Sequence, residues 1–466
     1  MKPRFSNSFK DLFHYLLSGG VTRLLPFFLL PYVAHVLNST DFGLYALYRL
    51  YITLGATILL LGLEQAIFRF IPEAEAAFNF KAFGTALYFI LFVFGIIFLL
   101  TLSANRFLNA LFFETDNPFP FYYLPVFILL NAASTLLITF FSARKQSKNY
   151  LITNVTGQTS FFLIFLIGLY LGWGLKAFFY AVVFSNILIY LINLKYWRLA
   201  FLGGFDPAIL RNLLRIGIPL MLVTLITYLL YQSDHFIIKY YLGLRMTGIY
   251  NYGYRFGAVI LMFVTIANNV WLPRVYGYGE TFLIKHLKSY SGLITLSCAA
   301  IFWTLVLLFH AFRSILIPKG FEISLTILTV VGLSYIIYGH VHTIDGWLIL
   351  KNRYRALVGI STVGLLINIA LNLIFIPRYG ILSAALITGF SFFIIWGLLL
   401  IYLRRFVAGS YLMAIFFKVL LITMPGLFLF TGLPIWVGFV LFLGISVWEL
   451  RTNPLLPRLI SSKTSK

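Results

Sequence analysis

At 466 residues, 61% hydrophobic and only 10% charged, with a mean hydropathy of +0.95, the chain falls outside the composition of water-soluble globular proteins, where roughly a quarter of residues are charged. A formal net charge of +22 would suit nucleic acid, but the basic residues form neither one solvated face nor a low-complexity tail, so no nucleic-acid partner is expected. The single cysteine, Cys298, lies in an apolar run, which excludes a disulfide framework and a cysteine metal site.

Apolar runs of roughly 20 residues can cross a hydrocarbon core about 30 Å thick. They are predicted at 12–37, 43–68, 82–103, 121–143, 150–171, 175–196, 214–238, 246–271, 289–310, 322–350, 356–376 and 381–403. Two further runs, 412–431 and 434–450, are shorter or interrupted by Pro425 and Pro434. Fourteen spans are therefore expected, with twelve and a re-entrant hairpin as the alternative. The first run continues from Asp11 through Arg23 to Leu37 without a small-residue cleavage pattern, so it should remain as an anchor. Pro26 and Pro31 within it, and Pro219 early in the seventh run, each remove a backbone hydrogen bond and favour a bend.

Most lysines and arginines fall in alternate connections beginning with the N-terminal segment, so the positive-inside rule places both termini in the cytoplasm. The longest hydrophilic connections, 104–120 and 197–213, leave no room for a soluble catalytic domain. Glu114 and Asp116 are the one close acidic pair in an outer loop, and a turn before Pro118 explains them better than a glycosyltransferase site. There is no glycine-rich phosphate loop of the Walker type, so transport would draw on an ion gradient, the membrane potential or a substrate gradient.

The chain also repeats itself. Gly43-Leu44-Tyr45 and Gly248-Ile249-Tyr250 stand 205 residues apart, while Arg49 and Arg255, and Gly174-Leu175 and Gly380-Ile381, stand 206 apart. Three landmarks in one register predict a duplicated all-α membrane bundle of six-helix halves. The expected divisions are 1–200, 201–403, and 404–466 for two additional helices and a basic cytoplasmic tail.

Arginine near the middle of a membrane helix costs roughly 2.5 to 3.5 kcal/mol, so Arg23, the deepest, is expected to face protein or water. Arg49 and Arg255, shallower in their helices, would each be a snorkelling anchor if alone, and their matched places in the repeat favour the same inward reading, that of a transporter for something anionic. Tyr45, Tyr48 and Tyr51, with Tyr250, Tyr252 and Tyr254, would be either interfacial belt residues or aromatic faces flanking guanidinium groups that hold a sugar on a phosphate. Among acids, Glu64, Asp234 and Asp345 each need a partner. Asn368 and Asn372 share a helix face and Thr388 follows. With Asp234 they form either an all-oxygen set for a hard monovalent cation or interhelical hydrogen-bond glue. His340 and His342 point in different directions on a helix, which disfavours a metal site while leaving a protonatable group near Asp345 open.

Several stretches together resemble the polysaccharide-type (Wzx-like) flippases of the MOP exporter superfamily, relatives of lipid II flippases and MATE exporters. They are Leu25-Pro26 through Pro31-Tyr32, Asp41 through Tyr45, Ile216 through Leu220, Gln232-Ser233-Asp234, Gly248-Ile249-Tyr250, Asn368 through Asn372, and Ile376 through Gly380. The resemblance covers about 10–403 and implies two pseudo-symmetric six-helix lobes around a central cavity that alternates between openings. It implies a bacterial inner-membrane flippase for undecaprenyl-diphosphate-linked oligosaccharide in surface polysaccharide synthesis, such as O-antigen, working among membrane lipids and alongside glycan polymerase or ligase machinery. Arg23, Arg49 and Arg255 match the diphosphate-binding arginines, and Asp41 an acidic position at the outer gate. Asp234, Asn368, Asn372 and Thr388 match a cation site. Asn372 stands where that family can carry an acid, which should weaken cation binding, so Na+ coupling, H+ coupling and no coupling ion all remain open. A MATE-like cation-coupled exporter of small molecules is the alternative, and it predicts acidic residues lining the cavity.

Overall fold

The computed structural model describes residues 5–71, 76–105, 107–108, 123–350 and 353–453, and among them every regular element is a helix. Glu114 and Asp116, and the side chains of Arg23 and Asp345, lie outside the described residues. The chain forms two compact units, Met1–Tyr228 and Leu229–Lys466.

The first unit contains α1 (Phe5–Val36), α2 (Ser39–Leu60), α3 (Leu63–Phe70), α4 (Ala76–Ser103), α5 (Leu124–Ala143), α6 (Ser147–Tyr170), α7 (Lys176–Ile192), α8 (Leu194–Gly203) and the opening part of α9 (Pro207–Gly257). Helix α1 packs on α6, α2 on α5, α4 on α8, and α6 on α7. Lipid offers apolar side chains no less favourable surroundings than a neighbouring helix does, so close packing must hold these pairs together. Aromatic rings supply much of it: Phe83 stacks on Phe140 with centroids 4.6 Å apart, and Tyr48 meets Phe179 edge to face at 4.6 Å.

The predicted second span is broken. Leu61 (φ 47°) and Gly62 (φ 74°) turn left-handed between α2 and α3. A Cβ on Gly62 would stand 2.1 Å from the Gly217 carbonyl oxygen, so backbone meets backbone here without an intervening side chain. Near this junction Gln65 Nε2 donates to Thr224 Oγ1 at 2.8 Å.

The second unit contains the remainder of α9, α10 (Val259–Ala311), α11 (Ser324–Leu350), α12 (Tyr354–Tyr379), α13 (Ile381–Leu403), α14 (Gly409–Thr423) running into a 3-10 turn (Met424–Phe430), and α15 (Ile435–Thr452). Helix α11 packs against α10 and α13, α12 against α13, and α14 and α15 against α10. Gly243 interrupts α9 with φ 77° and ψ −179°, a conformation open to glycine and strained for other residues.

Among the described residues twelve helical stretches are long and apolar enough to cross a membrane. One of them, Pro207–Asn268, runs 62 residues and contains the Gly243 break. A further pair, Lys176–Ile192 and Leu194–Gly203, bends by 74° and would add a thirteenth crossing. Twelve, or thirteen with the bent pair, is below the fourteen expected, because two of the expected runs, 214–238 and 246–271, fall largely within the one long helical stretch.

A buried ion pair fastens the last two helices. Lys418 Nζ on α14 lies 2.8 Å from Glu449 Oε1 on α15, and Glu449 is fully buried. Asn453 Nδ2 donates to the same carboxylate oxygen at 2.7 Å and to the Ser289 carbonyl of α10 at 2.9 Å.

Two outcomes follow for stability. Gly62→Val combines a left-handed β-branched residue with a backbone clash, and should destabilise the chain by about 2 kcal/mol or more, read as lower Tm and yield in detergent. Lys418→Met should cost about 3–5 kcal/mol by stranding a buried carboxylate, whereas Lys418→Met with Glu449→Leu should regain most of it. Equal losses in the single and double variants would show that the pair is not what holds α14 to α15.

Candidate functional site

In the first unit, α2, α5, α6 and α7 enclose a cavity of about 250 Å3. Its lining is polar for a bundle of this composition: Arg49 and Thr53 from α2, Asn131, Ser134 and Thr135 from α5, Thr153, Asn154 and Gln158 from α6, Ser185 and Asn186 from α7. Arg49 is the single charged residue in that lining, and no carboxylate accompanies it. Its Nη1 donates to the Tyr45 hydroxyl one turn earlier at 3.1 Å, and its guanidinium carbon lies 5.9 Å from the centre of the same ring. Those contacts steer the side chain while leaving most of the guanidinium fork for another acceptor. Sequence patterning singled out Arg49 but none of the amides. The available signal is spacing: Arg49/Thr53, Asn131/Thr135 and Asn154/Gln158 are each four apart, one polar face per helix.

Part of the lining is internally satisfied. Ser134 Oγ donates to Asn186 Oδ1 at 2.6 Å, and Asn186 Nδ2 donates to the Val182 carbonyl at 2.8 Å. Thr153 and Asn193 bond each other. These pairs hold α5, α6 and α7 in register and frame the cavity wall.

Tyr45 flanks the Arg49 guanidinium, but from a buried position that it shares with most of the other tyrosines. Tyr45, Tyr48, Tyr250, Tyr252 and Tyr254 are each at most 3% exposed, so five of the six are core residues rather than a membrane-interface belt or open ligand faces. Tyr45 stacks on Phe165 and meets Phe178 edge to face. Tyr252 donates to the Leu316 carbonyl, and Tyr254 to the Tyr231 carbonyl at 2.7 Å.

In the second unit Asp234 is buried among protein donors. Its Oδ1 accepts from the His235 backbone N–H at 2.8 Å and from His235 Nδ1 at 2.7 Å; its Oδ2 accepts from the Tyr250 hydroxyl and lies 3.4 Å from Thr388 Oγ1, whose one hydrogen goes to the Ala384 carbonyl at 3.0 Å. Three donors thus engage the carboxylate. Asn368 and Asn372 form an adjoining cluster: Asn372 Nδ2 donates to Asn368 Oδ1 at 2.9 Å, Ser233 Oγ to the same oxygen at 3.2 Å, and Asn368 Nδ2 to Ser391 Oγ at 3.2 Å. The structure thus brings Asp234 and Thr388 into contact and links the asparagines to them through Ser233. Sequence reasoning missed His235, although it adjoins the acid and supplies two of its three bonds.

Asp41 occupies the third position of α2 and exchanges bonds with the N-cap Asn38: the Asp41 backbone N–H donates to Asn38 Oδ1 at 2.8 Å and Asn38 Nδ2 donates to Asp41 Oδ2 at 2.9 Å. This satisfies an orphan helix donor and sets a negative charge on the positive end of the helix dipole. Arg255 lies half-buried in the last turn of α9, in the second unit. Arg23 lies on α1 in the first unit. On α11, the His340 ring pairs with Thr295 Oγ1 at 2.8 Å and His342 approaches the Tyr231 hydroxyl at 3.5 Å.

A family model described as polysaccharide biosynthesis protein matches residues 8–277. No curated protein matches the sequence. Among solved structures the chain is similar to the lipid II flippase MurJ in an inward closed conformation, at 14% identity and TM-score 0.65, covering 99% of both chains. It is also similar to a multidrug resistance MATE family transporter of the MOP superfamily in an inward-facing conformation, at 16% identity and TM-score 0.57, covering 86% of this chain and 94% of that one. A MOP superfamily transporter from Pyrococcus furiosus, whose structure is described as having a binding pocket of reversed polarity, matches at 15% identity and TM-score 0.53 over 85% and 94%. At these identities the likeness carries the fold.

Because three protein donors already engage both oxygens of Asp234, replacing choline by sodium at constant ionic strength is expected to leave Tm unchanged. A ligand at one hundred times its Kd would stabilise by about 2.7 kcal/mol, so a sodium-specific rise in Tm, abolished in Asp234→Asn, would contradict this.

Proposed function

This chain belongs to the polysaccharide biosynthesis protein family, and from that premise we propose that it flips a polyprenyl-diphosphate-linked oligosaccharide across the cytoplasmic membrane, with both termini inside. The observation that carries the reading is Arg49. It is a cation held within an apolar bundle, without a carboxylate in its cavity and beside amides and hydroxyls. A guanidinium so placed favours an anionic oxygen ligand, and a forked donor suits phosphate. Arg255, its counterpart in the repeat, and Arg23 are proposed as further diphosphate ligands on the strength of the family resemblance. The lipid tail would stay in the bilayer while the glycan crosses.

The fold shared with MATE transporters keeps a cation exporter as the second reading. A site for organic cations needs negative potential along its walls. The cavity of the first unit carries the opposite sign, which favours the anionic substrate.

The test is transbilayer movement of a fluorescent short-chain polyprenyl-diphosphate sugar in proteoliposomes. Arg49→Gln and Arg255→Gln should each slow it tenfold or more, as expected for loss of a charged hydrogen bond of about 1.5–3 kcal/mol. Arg49→Lys should fall between, having charge without the fork. Wild-type rates in both glutamine variants, or transport of an organic cation in place of the lipid, would overturn the proposal.

A further inference from the structure

The cavity beside Arg49 contains more polar chemistry than a phosphate needs. Asn131, Asn154 and Gln158 line it, and among the described residues none of their side-chain amides makes a hydrogen bond to protein. By contrast Ser134 and Asn186 are consumed by each other and by the Val182 carbonyl. Unpaired amides within a membrane bundle are costly, so the cavity requires a partner with several hydroxyl or carbonyl groups, or water. Its volume of about 250 Å3 leaves room for a sugar ring. Phe161 adds an apolar ring face to the wall, which a pyranose has and a phosphate lacks.

We infer that this cavity is a subsite for a single sugar phosphate unit, in which Arg49 holds the phosphate oxygen and Asn131, Asn154 and Gln158 bind the hydroxyls of the first sugar. The inference rests on the reading of the chain as a flippase for a diphosphate-linked glycan. It adds that glycan selectivity resides in the first unit, in amides one helix away from the arginine. Asn154 and Gln158 stand on one face of α6, and Asn131 faces in from α5, so the sugar would be gripped from two helices.

The experiment titrates the full chain in nanodiscs with the 1-phosphates of glucose, galactose and N-acetylglucosamine, with inorganic phosphate, and with free glucose. At least one hexose 1-phosphate should bind roughly tenfold tighter than phosphate, the gain from hydroxyl bonds worth about 1.5 kcal/mol. Asn154→Leu and Gln158→Leu should erase that gap while leaving phosphate affinity unchanged. Arg49→Gln should abolish binding of both. Unaltered melting of each variant shows that it is folded. Equal affinities for phosphate and every sugar phosphate would reduce the site to an anion site, and absence of saturable binding would reduce it to a hydrated void; either overturns the inference. Lipid flipping at wild-type rate and selectivity in Asn154→Leu and Gln158→Leu would also overturn it while leaving the flippase reading intact. Sugar phosphate binding by a chain that flips no lipid-linked glycan would do the reverse.

Discussion

An ionised side chain inside a membrane bundle must be given a partner, because the surrounding lipid offers none, and this chain meets that requirement in three different ways. Glu449 is neutralised by Lys418 and further bonded by Asn453. Asp234 accepts from the backbone and ring of His235 and from the Tyr250 hydroxyl. Arg49 has one neutral hydroxyl and a polar cavity. The first two are made by protein groups and hold helices together. The third leaves most of a guanidinium facing a polar cavity.

The same contrast sorts the neutral polar groups. Amides and hydroxyls that bond each other, such as Ser134 with Asn186 and Thr153 with Asn193, fix the spacing of α5, α6 and α7. The amides left over face the cavity beside Arg49. Interhelical bonds among the first group are worth on the order of 1 kcal/mol each in a membrane, enough to keep the wall in register. A pre-formed wall of this kind lowers the ordering cost of binding a polar ligand. Recognition of the phosphate and of the sugar can then be built on one rigid scaffold.

Helix content, the membrane setting and the need of Arg49 for polar surroundings were legible in the sequence because each rests on a strong local signal: long apolar runs, and a charge inside one of them. The breaks at Leu61–Gly62 and Gly243 were not, since an apolar run reads the same whether its backbone is continuous or turned. The burial of Tyr45, Tyr48 and Tyr250 was equally hidden, because a helix that is apolar all round gives no periodic sign of which face meets protein and which meets lipid. Asp234 and Thr388 lie 3.4 Å apart, but the resemblance carried no information on His235, whose ring and backbone both donate to one carboxylate oxygen. Asp41, three residues after Asn38, is a helix-capping partner, a part that an N-terminal Asn and acid at that spacing signal.

The central claim is that the Arg49 guanidinium meets the phosphate of the transported lipid. Solid-state NMR of the chain in bilayers, with 15N-labelled arginine and a polyprenyl-diphosphate sugar bound, measures that contact through dephasing between 15N and 31P. The account predicts strong dephasing at short contact that disappears in Arg49→Lys for the assigned guanidinium resonance. Substrate-loaded protein whose Arg49 signal shows no coupling to phosphorus would contradict it.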